Sequence, residues 1–117
     1  GNGMEIVWSR LGERLFKSVL EYVEDNFGEN VARQTFHRIT EKVEQLKYFP
    51  GIGVKDFELA ESLGFGTGVE VRHLVSQPNI VYYMIDGEDI VIIAVVHAHQ
   101  SQETIKNIVA DFLETNK

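Results

Sequence analysis

The uninterrupted apolar run from Ile90 to Val96 restricts the fold of this chain more than any other feature of the sequence. Successive side chains of a strand point to opposite faces of its sheet. The run therefore divides into two predicted sets, Ile90, Ile92, Ala94 and Val96 on one face and Val91, Ile93 and Val95 on the other. A strand that is apolar on both faces has to be covered on both faces. The chain thus needs a sheet with a further layer on each side.

Three segments carry apolar residues at helical spacing and can supply these layers. Residues 10–27, with Ser9 as the predicted N-cap, have an apolar arc of about 180°, wide enough to contact both a sheet and a second helix. Residues 29–48 follow after a link at Gly28 that is so short that the two helices must form an antiparallel hairpin. We expect this hairpin to cover one face of the sheet. A last helix, from Ser101 to about Thr115, covers the other face or docks on a partner.

Four β-rich segments are predicted to form the sheet: residues 4–8, 69–75, 80–85 and 88–97. The last three form an antiparallel meander, because Asp86-Gly87 is typical of a type I′ hairpin turn.

Between the helical hairpin and the meander lies a glycine-rich segment, residues 50–68, which is predicted to be a loop with one helical turn near residues 57–63. The predicted order is β-α-α-β-β-β-α. This order describes an α+β fold in which a helical hairpin packs on a small, mainly antiparallel sheet. We expect one domain over residues 1–117, with residues 1–3 a disordered start or a non-native remnant.

The charge and the lack of cysteine exclude several classes of function. No cysteine is present, which excludes a disulfide framework, a thiolate zinc site and a cysteine nucleophile. The net charge is −7, and all of it lies in residues 56–117, which hold three basic and ten acidic side chains. This field argues against tight, non-specific binding to nucleic acid. No targeting or membrane-spanning segment is visible, so we expect the cytoplasm and no membrane partner.

Four local motifs, in this order along the chain, resemble those of the RelE/ParE superfamily of bacterial toxins. They are the helix exit Leu46-Lys-Tyr-Phe-Pro-Gly-Ile-Gly53, the strand Gly68-Val-Glu-Val-Arg-His-Leu74, the strand Ile80-Val-Tyr82-Tyr83, and the apolar strand that ends at His97. The resemblance extends from Met4 to about residue 104. It implies a toxin that a cognate antitoxin protein holds silent, as in a type II toxin–antitoxin, or plasmid stabilization, system.

The superfamily contains two chemistries. RelE-like members are ribosome-dependent endonucleases of messenger RNA, and ParE-like members poison DNA gyrase without catalytic residues of their own. Cleavage of RNA by its 2′-OH needs a base, a cation at the phosphate and an acid for the leaving oxygen. Here Glu70, Arg72 and His99 are the candidates for these roles, similar to the YoeB-like branch, with His97 as another candidate for the acid. However, Gln100 stands where a YoeB-like member has an aromatic side chain that acts as the proton donor, and glutamine cannot protonate a leaving group.

The ParE-like branch fits the sequence better, with Arg72, Tyr82, His97 and Lys55 as the predicted binding residues. Arg72 is more readily explained as the partner of Glu70 than as a phosphate ligand. A net acidic half would also repel the phosphates of a ribosome, whereas a protein target such as DNA gyrase tolerates it. A third alternative is a non-toxic family member that serves as a binding module and forms a homodimer.

No cofactor or metal is predicted. The spacing of His97 and His99 can bind zinc, but no third ligand is evident from the sequence.

Overall fold

The computed structural model describes residues 3–65, 68–99 and 102–115. Within them the chain forms five strands and four helices. In chain order these are β1 (Glu5–Trp8), α1 (Arg10–Phe27), α2 (Glu29–Gln45), β2 (Val54–Lys55), α3 (Phe57–Leu63), β3 (Glu70–Ser76), β4 (Asn79–Asp86), β5 (Asp89–His97) and α4 (Gln102–Thr115). The predicted α+β order is confirmed. The structure adds the two-residue strand β2 and extends the predicted helical turn into α3.

All five strands belong to one sheet, in the order β1-β5-β4-β3-β2. β1 is parallel to β5, and every other neighbouring pair is antiparallel. The predicted meander of β3, β4 and β5 is therefore confirmed, and β5 lies in the interior of the sheet, between β1 and β4. This position explains the apolar run, because β5 is paired along both edges and helices cover both of its faces.

Each face of the sheet has its own hydrophobic core. On one face, α1 and α2 contribute Phe16, Ile39 and Val43, which pack on the sheet around Tyr83. On the other face, α3 and α4 contribute a second set, which includes Leu59, Leu63, Ile108, Val109 and Phe112. α1 also reaches this second core through Leu11. The helical hairpin and the last helix thus cover opposite faces, as predicted.

The predicted alternation along β5 was correct up to Ile93 and wrong from Ala94 onward. Tyr82 pairs with Ala94 while Tyr83 pairs with Ile92, so Ile93 is an extra residue and forms a β-bulge. A bulge exchanges the two faces of the strand for all residues that follow. Val95 therefore joins Ile90 and Ile92 under the helical hairpin, and Ala94 and Val96 lie in the opposite core.

The N-terminus of α1 is anchored at this bulge. Ser9 caps the helix, because its Oγ accepts from the Gly12 N–H at 2.9 Å. The same hydroxyl donates to the carbonyl of Ile92 at 2.7 Å. A Cβ at Gly12 would lie 2.5 Å from that carbonyl oxygen, so only glycine lets α1 approach the strand so closely.

The hairpin between β4 and β5 is confirmed, but its turn is not of type I′. The two connecting residues are Gly87 and Glu88, and Gly87 has a φ of 61°. Among the described residues, only glycines have a positive φ, so the φ of Glu88 is negative. One glycine in the first central position is the pattern of a type II′ turn. The predictions for residues 1–2, for Gln100 and for a helix start at Ser101 lie outside the described residues.

Candidate functional site

Arg72 on β3 fixes the segment that connects α2 to α3. Its Nε donates to the Glu70 carboxylate at 2.6 Å. Its Nη1 donates to the carbonyl oxygens of Gly51, at 3.1 Å, and Gly53. The side chain is only 15% exposed. Charge-assisted hydrogen bonds of this kind are roughly twice as strong as neutral ones, so the guanidinium holds this segment firmly against the sheet.

Tyr83 holds the same segment from beneath. It is the direct cross-strand neighbour of Arg72 and is fully buried. Its hydroxyl donates to the Pro50 carbonyl at 2.7 Å and accepts from the Gly53 N–H at 2.9 Å. A Cβ at Gly53 would lie 2.6 Å from that hydroxyl, so the position has no room for a side chain. Burial raises the pKa of Tyr83, which keeps the phenol protonated as the donor.

The segment held in this way exposes a series of large apolar side chains. We call residues 48–57 the platform loop. Its exposed apolar members are Tyr48, Phe49, Ile52, Val54 and Phe57, with exposures from 49% to 76%. Several large apolar side chains exposed on so short a segment make it a candidate surface for protein interaction. The backbone here is fixed although the side chains lie in solvent, which lowers the conformational entropy that the loop itself would lose when a partner binds.

Glu70 links the two basic residues of this region. Its Oε1 lies 3.6 Å from the Lys55 Nζ, while Oε2 is the acceptor for Arg72. The hydrogen bond from Arg72 lowers the pKa of the Glu70 carboxyl, and Lys55 lowers it further, although partial burial opposes them. Glu70 is thus held as the anion that neutralises Arg72. Such a carboxylate is a poor proton acceptor, since hydrogen bonds and charge hold it in the ionised form.

Tyr82 lies on the opposite face of the sheet from Tyr83. Its ring contacts His73 edge-to-face, with the ring centroids 6.0 Å apart. His73 in turn lies with its Nδ1 3.0 Å from Asp56, whose other carboxylate oxygen caps α3 by accepting from the Leu59 N–H. Burial raises the pKa of Tyr82, and Asp56 adds to the effect. Tyr82 therefore belongs to a different surface from Arg72 and Lys55.

The two strand-end histidines lie at the far end of the sheet. His97 pairs with Asn79, whereas Glu70 pairs with Ile85, six residues further along β4. At about 3.3 Å per residue, roughly 20 Å separates the two ends. His99 stays with His97, because its N–H donates to the His97 Nδ1 at 3.1 Å. The structure thus brings Glu70 and Arg72 together but does not bring His99 to them.

A second arginine occupies this far end. Arg38 on α2 donates from Nη2 to the Asn79 Oδ1 at 2.8 Å and from Nε to the Ser76 Oγ at 3.2 Å. Ser76 and Asn79 are both buried, and Asn79 continues the network by donating to the Val96 carbonyl. This network ties α2 to the turn between β3 and β4. No single motif in the sequence indicates it.

Of the predicted binding residues, the structure brings only Arg72 and Lys55 together. Sequence reasoning missed Tyr83 and the apolar side chains of the platform loop. The register could have identified Tyr83, because a strand pair that places Arg72 opposite Tyr83 puts both on one face. In the described part of the chain, no group of three or more histidine, aspartate or glutamate side chains could hold a metal ion. No described helix is both long and apolar enough to cross a membrane.

Comparison with known proteins agrees with this architecture. The sheet, the hairpin on one face and the loop held by a strand arginine define a RelE/ParE-like fold. A chain of the chromosomal ParDE toxin–antitoxin system from P. aeruginosa superposes with a TM-score of 0.65 at 18% identity, over 85% of this chain and 100% of that one. Residues 6–102 match the family model of the ParE toxin of type II toxin–antitoxin systems, parDE. No curated protein matches the sequence. The chain therefore belongs to the ParE toxin family.

Proposed function

We propose that this chain is the toxin of a type II toxin–antitoxin pair, that it acts in the cytoplasm by binding DNA gyrase, and that a cognate antitoxin neutralises it. The proposal rests on the contacts that Arg72 makes. Its guanidinium binds Glu70 and two loop carbonyls, and in doing so it fixes the exposed apolar side chains of the platform loop. A fixed backbone that presents apolar side chains to solvent suits the binding of a protein.

The distribution of charge supports a protein target over an RNA target. Residues 56–117 carry the whole net charge of −7, and like charge slows the approach to phosphates. The distance of roughly 20 Å between the two ends of the sheet also separates His99 from Glu70. Such a nuclease needs its base within reach of the 2′-OH and its acid within reach of the leaving oxygen of the same phosphodiester.

The experiment that tests this proposal is induced expression with and without the neighbouring antitoxin gene, read by growth and by plasmid supercoiling. We expect growth to stop and supercoiling to fall, and co-expression of the antitoxin to restore both. Ile52→Asp together with Phe57→Asp should abolish the effect, because both side chains are exposed and a carboxylate disrupts an apolar interface.

The matched control places the same charges on another exposed apolar pair, Tyr22→Asp together with Phe27→Asp at the tip of the helical hairpin. This variant should remain toxic. Unchanged growth and supercoiling on induction of the wild-type protein would refute the proposal. So would equal loss of toxicity in both variants at equal protein levels.

A further inference from the structure

A groove of about 500 Å³ lies between α3 and α4, on the face of the sheet opposite the helical hairpin. This volume is within the range of roughly 300–1,000 Å³ that small-ligand sites in proteins have. The floor of the groove is apolar and consists of Leu59, Tyr82, Ile105 and Val109. Such a floor binds the apolar part of a ligand, and polar groups at the rim then fix its orientation.

The floor itself carries no charge. Tyr82 is its one aromatic member, and burial raises the pKa of this phenol, so the side chain is neutral at neutral pH. Its ring offers an incoming aromatic side chain an edge-to-face or offset contact, which adds to the burial of apolar surface. The groove is therefore suited to a small aliphatic or aromatic group.

The rim carries two charges of opposite sign on different helices. Glu58 lies on α3 and Lys106 on α4, and both side chains are exposed. Neither forms an ion pair with a described residue, so they are more than 4.0 Å from each other. Asp56 also lines the groove, but its two oxygens already bind the Leu59 N–H and His73. Glu58 and Lys106 are thus the charges that remain available to a ligand.

This pair of charges disfavours ligands of a single sign. A cation would pair with Glu58 but would meet Lys106 on the other wall. An anion would pair with Lys106 but would enter a layer, residues 56–63 and 102–115, that holds six acidic side chains and one basic side chain. A zwitterion satisfies both walls and has no net charge to be repelled. An apolar α-amino acid combines an ammonium, a carboxylate and an apolar side chain in one small molecule.

We propose that this groove binds an apolar α-amino acid as its zwitterion. The side chain lies on Leu59, Tyr82 and Val109, the ammonium pairs with Glu58, and the carboxylate pairs with Lys106. The proposal goes beyond the proposed function, because a small-molecule site needs neither the target nor the antitoxin.

Four small molecules test the chemistry of the groove. Phenylalanine is the probe, phenylalaninamide lacks the carboxylate, N-acetylphenylalanine lacks the ammonium, and serine lacks the apolar side chain. We expect phenylalanine to bind saturably at millimolar concentration, with shifts of backbone N–H signals in the NMR spectrum confined to α3, α4 and Tyr82. Each of the other three should bind severalfold more weakly, as the loss of an exposed ion pair or of apolar burial predicts.

Two results of this titration would overturn the proposal. One is the absence of a saturable shift with phenylalanine. The other is binding of phenylalaninamide or N-acetylphenylalanine as tightly as phenylalanine, which would make the groove a site for a cation or for an anion instead.

Matched substitutions assign each charge of the ligand to its wall. Glu58→Gln should lose most of the preference for phenylalanine over N-acetylphenylalanine and keep the preference over phenylalaninamide. Lys106→Gln should show the opposite pattern. Glu21→Gln and Lys17→Gln, both at exposed positions of α1, should keep both preferences. The proposal fails if the two groove variants retain both preferences, or if the α1 variants lose them equally.

The toxicity assay separates this proposal from the proposed function. All four substituted side chains are exposed, so the variants should keep the wild-type unfolding midpoint. If wild-type protein binds phenylalanine with the expected preferences but leaves growth unchanged on induction, the ligand site stands and the proposed function fails. If it stops growth but shows no saturable binding of phenylalanine, the proposed function stands and the ligand site is overturned.

Discussion

Two arginines lie at opposite ends of one face of the sheet, and they bind different kinds of partner. Arg72 has an anionic partner, Glu70, and binds backbone carbonyls of an exposed loop. Arg38 binds two buried neutral side chains, Ser76 and Asn79. The first arrangement presents apolar side chains to solvent, and the second only ties a helix to a turn. A partly buried arginine is thus a structural group at both ends of this sheet, and only the Arg72 end presents a series of exposed apolar side chains.

The largest effect is expected from Gly53→Ala, which tests how tightly the Arg72 end is packed. A Cβ there would lie 2.6 Å from the Tyr83 hydroxyl and 2.7 Å from the His73 carbonyl oxygen. We expect the free energy of unfolding to fall by about 3 kcal/mol, measured by urea denaturation. Gly51→Ala is the control, because its Cβ would meet only the Arg72 guanidinium at 3.8 Å. Similar losses at the two positions would contradict the close packing at Gly53.

An intermediate effect is expected when each arginine is truncated. Arg72→Ala removes the hydrogen bonds that this side chain donates to Glu70 and to two loop carbonyls, at a cost of about 2 kcal/mol. Arg38→Ala removes two bonds to neutral groups, at a cost of about 1 kcal/mol. Hydrogen exchange sharpens the contrast, because the Gly53 N–H should lose protection in Arg72→Ala and keep it in Arg38→Ala. Loss of protection at the Gly53 N–H in Arg38→Ala but not in Arg72→Ala would contradict the different roles assigned to the two arginines.

The smallest effect is the pH dependence of stability, which we expect at the Arg72 end because only Arg72 binds a carboxylate, whereas Arg38 binds the neutral side chains of Ser76 and Asn79. Arg72 lowers the pKa of the Glu70 carboxyl in the folded protein. The native state therefore binds this proton more weakly than the unfolded chain does, and the pair stabilises the fold above the ordinary carboxyl pKa. That contribution disappears as pH falls through the lowered pKa. The unfolding free energies of wild type and Glu70→Gln should converge between about pH 5 and about pH 3. A difference that stays constant over this range would contradict the ion pair.

Most of the fold could be predicted from local patterns, because apolar spacing and glycine positions act over a few residues. The hairpin, the meander and the two-sided burial of β5 are of this kind. The β-bulge at Ile93 could not be predicted, because it depends on how Ser9 and Gly12 of a distant helix meet the strand. It reversed the faces predicted for Ala94 and Val96.

The candidate site was less predictable than the fold. The Glu70–Arg72 pair follows from strand alternation, and the ion pair between them was expected. The grouping of His99 with that pair was not reproduced, since the register places the strand ends far apart. The platform loop was predicted only as a glycine-rich segment with a helical turn. Its apolar side chains are aperiodic, and their exposure depends on Tyr83 and Arg72, which are distant in sequence.

The most direct test of the central claim is inhibition of purified DNA gyrase by the purified chain. We expect wild-type protein and the Tyr22→Asp/Phe27→Asp variant to inhibit DNA supercoiling equally. We expect Ile52→Asp/Phe57→Asp to inhibit about tenfold or more weakly while keeping the wild-type circular dichroism spectrum and unfolding midpoint. Equal inhibition by all three proteins would contradict the claim that the platform loop binds the target.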